Sequence, residues 1–504
     1  MTALQTLHAM RDFGGARQTI GLTDEVIEGF LASDPTLERA IEEAWAAHQA
    51  LRDELGDVLA GSEADAVSSL QTEIVNFYPA ETVNPYVAIS AAGPWVVTTH
   101  GAVLHDNGGY GMLGMGHGPQ GIMAVMGQSH VMANVMTPSL THKRFTARLQ
   151  REVGQTRGSC PFTKFICMNS GSEAVTVAFR IADVNAARLT APGGSHEGRP
   201  VKIISLEGSF HGRTDRPAQA SDSCLDTYKK HLRTHRDNDN LYTVPPNDVE
   251  ALEAAFAQAE AEGAFVEMML IEPVMGEGDP GMACTRAFYD AARRLTKAHG
   301  SLLLVDSIQA GLRGTGYLSF VDYPGFEDAE APDLETWSKA LNAGQYPLSV
   351  LGLTDRAAAL YVRGIYGNTM TTNPRALEVG CAVLDGLTDE LRANIRDRGQ
   401  DFLDGLGGLM DEFPGVVTKV QGTGLLFSAE LEGIAVVGWD GIETWLRKNG
   451  LGVIHGGENS LRFTPHFAVT KAEVDLIVDL VRQGVRHFVG PDLKVPAGAS
   501  EARV

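Results

Sequence analysis

Four short segments carry residue types that could act together on an organic ring and an amine. The first is Asn169-Ser170-Gly171-Ser172-Glu173-Ala174, a run of small residues opening a helical pattern. A helix N-terminus leaves amides without intrahelical partners at the positive end of its dipole, which suits a phosphate. The plainer alternative is an N-cap in which Ser172 satisfies the first turn. The second segment is Phe210-His211-Gly212, whose aromatic could stack on a flat heterocycle or simply fill the core. The third is Asp306, directly after Leu302-Leu303-Leu304-Val305. A carboxylate there loses its hydration unless something positive meets it. A protonated pyridine nitrogen would serve, and so would a salt bridge or a helix cap. The fourth is Lys339, in Ser338-Lys339-Ala340-Leu341-Asn342-Ala343-Gly344. A lone lysine is ordinarily a solvated charge, but among small residues near a buried acid it can be a Schiff-base nucleophile.

Such residues act together only if a scaffold gathers them. The apolar runs at 164–168, 201–205, 268–271 and 302–305 read as buried strands, and helical patterns at 173–189, 249–261 and 286–299 separate them. This alternation predicts an α/β fold with a parallel sheet covered by helices on both faces. Ligands of open parallel sheets sit beyond the carboxyl ends of the strands, where these polar residues lie. Residues 23–73 read as helix, with Asp34-Pro35 as a start signal, and form a docking arm or cap. From Asn84 to Met136 the chain is rich in glycine and methionine, including Met112, Met115, Met123, Met126, Met132 and Met136. That composition suggests a flexible buried packing layer. The predicted division is an N-terminal extension over 1–83, a connecting part over 84–140 and a large domain over 141–374. A smaller α+β domain follows over 375–490, and a frayed tail over 491–504.

The 504 residues, 44% apolar and 21% charged, describe an ordinary globular protein able to bury a large core. A net charge of −22 disfavours nucleic acid and anionic membrane surfaces as partners. No apolar run is long enough to span a bilayer, and the first residues have no h-region. The five cysteines form no CxxC pair, so neither a disulfide framework nor a metal site is expected, and the cytoplasm is the default setting. Gly109-Tyr110-Gly111-Met112-Leu113-Gly114 matches a dinucleotide fingerprint, but no acid occurs between Asp106 and Glu152 to hold a ribose. Turn or close-packing glycines are the better reading.

Taken in order, these segments resemble the class III aminotransferases, the ornithine and 4-aminobutyrate aminotransferase group of fold-type-I pyridoxal-phosphate enzymes. The resemblance also rests on Phe210-His211-Gly212-Arg213-Thr214, Ile271-Glu272-Pro273-Val274-Met275-Gly276-Glu277-Gly278, Asp306-Ser307-Ile308-Gln309-Ala310-Gly311, Gly367-Asn368-Thr369, Asn373-Pro374 and Gly116-His117. It implies a large domain with a mostly parallel, seven-stranded sheet and a smaller α+β domain. It further implies that Lys339 holds pyridoxal 5'-phosphate as a Schiff base and shuttles the substrate proton, with Asp306 at the pyridine nitrogen. Phe210 would stack on the ring, Gln309 approach its phenolic oxygen, and Gly171 and Ser172 bind the phosphate. His211 and Glu272 would support the cofactor site. Arg462 would grip a substrate carboxylate, a surface ion pair being its alternative, and Glu277 would neutralise that arginine when no carboxylate is present. Thr369 would reach the phosphate of the neighbouring subunit, making a homodimer. The implied reaction moves an amino group between an amino acid or amine and a 2-oxo acid. A decarboxylase, racemase or lyase, and more remotely a non-catalytic scaffold, are the alternatives. The chain departs from the family at Ser307, where a glutamate is usual, at Met275, and in the order Arg313-Gly314-Thr315-Gly316.

Overall fold

The apolar runs become strands of one seven-stranded sheet in the computed structural model, which describes residues 1–108, 110–133 and 135–490. The strand order is Lys164–Met168, Ser349–Leu353, Leu334–Trp337, Leu302–Asp306, Phe265–Ile271, Val201–Leu206 and Leu241–Val244. Ser349–Leu353 runs antiparallel to both neighbours, and the remaining pairings are parallel. Alternation along each strand sends side chains to opposite faces. Leu302 and Leu304 pack in a core with Ala174, Val177, Ala178 and Ile181 of the helix Gly171–Thr190. Leu303 and Val305 join the other core, with Leu252 and Phe256 of the helix Val249–Ala261 and Phe288 and Ala292 of the helix Arg286–His299. Each leucine so buried contributes about 1.5–3 kcal/mol. Both faces are therefore covered, as near-continuous apolar strands require.

This sheet belongs to a compact unit made of residues Gln120–Arg396 and Gly422–Leu426. The other unit comprises Met1–Pro119, Asp397–Gln421 and the described residues from Phe427 on. In it the stretch expected to be helical from 23 to 73 is broken into Asp24–Leu31, Pro35–Ala50, Arg52–Ala60 and Glu63–Leu70. Asp34 caps the second of these, as the Asp-Pro sequence requires, and also accepts Trp95 Nε1 at 2.6 Å. Leu37, Ala40, Ile41 and Ala44 form the buried stripe of that helix, which packs on the strands Ala88–Ala92 and Trp95–Thr98. Ser460–Phe463 lies antiparallel to Ile454–Gly456, with Arg462 opposite Ile454 and Ser428. The helix Lys471–Val489 starts at a capping box, Thr470 and Glu473. The Glu473 carboxylate also accepts His105 Nε2 at 3.0 Å and His466 Nε2 at 2.8 Å, and these bonds hold its pKa far below the usual range despite burial.

The methionine-rich segment differs from expectation. Met112, Met123, Met132 and Met136 are exposed rather than interior, Met136 at 82%. Its one helix, Gln120–Met126, buries only Ile122, so no regular element carries the rest into the core. In the glycine motif, Gly114 serves close packing, since a Cβ there would meet the Phe467 ring at 2.4 Å. Gly109, Asn134 and the segment read as a tail, 491–504, lie outside the described residues.

One core contact yields a test of the packing. A Cβ on Gly352 would stand 2.7 Å from the Trp337 ring and 3.0 Å from Phe162, and both rings are fully buried. Gly352→Ala is expected to destabilise the protein by about 1–3 kcal/mol, read from the unfolding midpoint in urea.

Candidate active site

Five of the singled-out segments lie at the carboxyl edge of the sheet. Asn169 to Glu173 follow the strand Lys164–Met168, and Phe210 to Thr214 follow Val201–Leu206. Glu272 follows Phe265–Ile271, Asp306 ends its own strand, and Ser338-Lys339 follow Leu334–Trp337.

Asp306 is 4% exposed, and its charge is met by hydrogen bonds. Its Oδ2 lies 2.8 Å from His211 Nδ1, which must carry the proton because a carboxylate only accepts. Its Oδ1 accepts the Thr336 hydroxyl and the Ile308 amide, each at 3.1 Å. His211 is buried, and its Nε2 has no hydrogen-bond partner. From this pair a path of contacts leads to the lysine. Glu272, buried beside Asp306, accepts the Phe210 amide at 2.9 Å and the Gly276 amide at 3.0 Å. The Gly276 carbonyl receives Gln309 Nε2 at 3.4 Å, and Gln309 Oε1 receives Lys339 Nζ. Gly276 has no room for a side chain, since a Cβ would stand 2.5 Å from Gln309. Lys339 itself has φ +29°, a sparsely populated backbone held by its surroundings. Ser338 Oγ and Asn342 Nδ2 both donate to the Leu348 carbonyl and pin that turn.

At the first segment the N-cap is Ser170, whose Oγ accepts the Glu173 amide at 3.2 Å, rather than Ser172. Ser172 Oγ is therefore available to Thr214, at 2.7 Å from its hydroxyl and 3.2 Å from its amide. Gly212, with φ +114°, presses the Phe210–Thr214 loop onto this turn, and a Cβ there would meet Ser172 Oγ at 2.3 Å. The first-turn amides of Gly171 and Ser172 have no carbonyl within the helix to bond. A phosphorylated pyridine aldehyde fits this donor set: amides and hydroxyls for the phosphate, a buried carboxylate for the ring nitrogen, and an amine for the aldehyde. Phe210 stands half-buried at the same edge, with the Arg213 guanidinium 5.7 Å from its ring centre.

Sequence reading missed several contributors. Glu173 accepts the Asn169 amide at 2.8 Å and Asn368 Nδ2 at 3.0 Å, tying the first segment to the Gly367-Asn368-Thr369 loop. Ser307, where the family usually has glutamate, donates to the fully buried Glu335 at 2.6 Å. Glu335 also accepts Ser319 Oγ, the Phe320 amide and Trp337 Nε1. This is a cross-strand pairing that no local pattern announces. Arg313, the displaced arginine, is fully buried and donates to the Leu425 carbonyl at 3.0 Å, and burial pushes its pKa down to about 9. Met275 is buried in the core.

Three further residues were expected in the site. Glu277 is half-buried beside Gly276. Thr369 is exposed, on a groove of about 680 Å³ shared with Val135, Met136 and Phe165. Arg462 belongs to the other unit, where it is fully buried, so it is no surface ion pair.

Burial raises the Glu272 pKa to about 7, with Asp306 adding to the rise and His211 opposing it. A folded pKa above the unfolded value near 4.5 means the folded state holds the extra proton between them. The associated stability is complete below the unfolded pKa and is lost as pH rises through about 7. Without cofactor, the melting temperature of Glu272→Gln relative to the parent is expected to rise between about pH 5 and pH 8. A difference independent of pH would contradict this assignment.

The chain is also similar to known proteins. The family described as Aminotransferase class-III matches residues 77–485. The acetylornithine aminotransferase of Thermosynechococcus vestitus is 32% identical over 337 residues, covering 66% of this chain and 76% of that protein. The Mesorhizobium japonicum acetylornithine aminotransferase is 29% identical over 402 residues, 78% of this chain and 92% of its own. Among solved structures, the ornithine aminotransferase of Toxoplasma gondii superposes with a TM-score of 0.71 at 24% identity, over 86% of this chain and 97% of that one. A second structure of that protein has partial occupancy of pyridoxal phosphate at its active site. The chain belongs to the class III aminotransferases, fold-type-I enzymes that use pyridoxal phosphate to move amino groups between amino acids and 2-oxo acids.

Proposed function

We propose that Lys339 is the amine that carries the cofactor and moves the proton during amino-group transfer. The observation that carries this reading is the path of contacts from Lys339 through Gln309, Gly276 and Glu272 to the Phe210–His211 loop and Asp306. When bound, the cofactor supplies an electron sink that stabilises negative charge at the substrate carbon. Asp306, oriented by His211 and Thr336, keeps a proton on the ring nitrogen. Phe210 would cover the cofactor ring, and Gln309 would supply a polar group to it. The Gly171 and Ser172 amides bind the phosphate at the positive end of their helix, with the Ser172 hydroxyl oriented by Thr214. Glu272 holds the Phe210 and Gly276 amides in place. With the cofactor bound, Lys339 Nζ would be the base that takes the proton from the substrate Cα and the acid that returns it.

Arg462 is assigned to the substrate carboxylate, because a buried guanidinium matches a carboxylate with paired donors. Glu277 is assigned as its counter-charge when no carboxylate is bound. We further propose a homodimer in which Thr369 completes the partner's phosphate site. Supporting it, Val131, Val135, Met136 and Leu140 are exposed close together in sequence, Leu140 at 85%, and Thr369 lies on the same groove as Val135 and Met136. An exposed apolar cluster of this kind marks an association surface. The five thiols are free, which supports a reducing, cytoplasmic setting. No helix among the described residues is long and apolar enough to cross a membrane.

Borohydride treatment of the loaded enzyme is expected to fix the cofactor on the peptide containing Lys339 and nowhere else, read by mass spectrometry. Lys339→Ala is expected to lose the visible band and at least about 100-fold in turnover, and retention of both would refute the assignment. The double variant Val135→Asp, Met136→Asp is expected to sediment as a monomer and to bind the cofactor more weakly; an unchanged dimer would place the interface elsewhere.

A further inference from the structure

The N-terminal extension supplies an aromatic side chain to the surroundings of Arg462. The Arg462 guanidinium carbon lies 5.3 Å from the centre of the Tyr110 ring. Tyr110 in turn stacks on Tyr78, with ring centres 5.7 Å apart and planes 16° from parallel. Tyr78, Tyr110 and Arg462 therefore form a column of two rings and a cation, with its outer member contributed by residues 1–83.

Local structure holds the middle member of this column firmly. Tyr110 has φ +49°, a left-handed conformation that a tyrosine adopts only when its neighbours impose it. The following Gly111 amide donates to Thr464 Oγ1 at 3.2 Å, and the Thr464 amide donates to the Asn107 carbonyl at 3.0 Å. These bonds lace the Tyr110 loop to the residues just after Arg462. Beside the column is a cavity of about 530 Å³, large enough for a small ligand. Val67, Leu70 and Tyr78 line it from the extension, and Asp106, Tyr110 and Arg447 from the remainder of the same unit.

We propose that Tyr78 is a positioning residue for carboxylate recognition: by fixing the Tyr110 ring it holds the Arg462 guanidinium ready for a carboxylate-bearing substrate. The proposal rests on the assignment of Arg462 to the substrate carboxylate. An aromatic face stabilises a buried cation by its quadrupole. A carboxylate meets the guanidinium through its N–H groups, so the ring and the ligand do not compete for the same donors. The extension thereby acts in substrate selection as well as in packing.

The test is calorimetric titration of the full-length, cofactor-loaded enzyme with glutarate, a dicarboxylate lacking an amino group. Tyr78→Ala is expected to weaken glutarate binding by about 5–10-fold while cofactor affinity stays unchanged. Tyr78→Phe, which keeps the ring, is expected to bind within about twofold of the parent. Tyr110→Leu, which keeps the bulk and loses the ring face, is expected to weaken binding at least as much as Tyr78→Ala. Arg462→Ala is expected to abolish it. If Tyr78→Ala binds glutarate like the parent while Arg462→Ala does not, the role of Tyr78 is overturned and that of Arg462 stands. If Tyr78→Phe is as weak as Tyr78→Ala, or if cofactor affinity falls in parallel, the stacking account is overturned. If the parent does not bind glutarate, or Arg462→Ala binds it equally, the Arg462 assignment itself fails.

Discussion

The carboxylate of Asp306 ends a strand whose residues are all buried, so neighbours rather than water must answer its charge. An isolated carboxylate in such a place would take up a proton and lose the charge that could hold a pyridinium. Here three donors meet it: the His211 ring, the Thr336 hydroxyl and the Ile308 amide. Each comes from a different piece of chain at the same sheet edge. The requirement to keep this anion charged therefore explains why the loop after Val201–Leu206 must reach across to Leu302–Asp306. It also explains why Thr336 must lie on the adjacent strand, in register with Asp306. Once that loop is fixed, Glu272 and Gly276 follow by their backbone contacts, and Gln309 and Lys339 after them.

Much of this was legible in the sequence because buried parallel strands write themselves as uninterrupted apolar runs. The polar residue that ends such a run then stands at the ligand edge by topology alone. Asp306 could be singled out on that ground, and the helices Val249–Ala261 and Arg286–His299 appear where their patterns placed them. Lys339 could not, because the strand before it, Leu-Glu-Thr-Trp, is no apolar run, and its small neighbours were the signal. The antiparallel strand Ser349–Leu353 and the edge strand Leu241–Val244 were not singled out. Gly352 interrupts the first, and Thr243 breaks the apolar run of the second, which has only four residues. Cross-strand partners were also hidden, since pairings such as Ser307 with Glu335 depend on register. The cap at Ser170 rather than Ser172 was a shift of two residues, and it decides which hydroxyl remains for Thr214. The exposed methionines could not be placed by composition, because buried packing layers and association surfaces draw on the same residues.

Ser307 and Arg313, where the chain departs from the family pattern, both make buried contacts of their own. Glu335 places its carboxylate beneath Ser307 from the adjacent strand and gathers donors from the 319–320 turn and from Trp337. Burial pushes its pKa up to about 7, while four donors oppose that rise. Arg313 turns inward, its guanidinium donating to the Leu425 carbonyl and its own carbonyl accepting the Leu425 amide, in the 422–426 segment of the same unit. Neither residue makes one of the contacts of Lys339 or Asp306 described above.

The central claim is that Asp306, oriented by His211, holds a proton on the cofactor ring. Nitrogen NMR of the enzyme reconstituted with cofactor labelled at the ring nitrogen observes that proton directly. A protonated ring nitrogen at neutral pH in the parent, and a neutral one in Asp306→Asn, is the predicted result. The same protonation state in both proteins would contradict it.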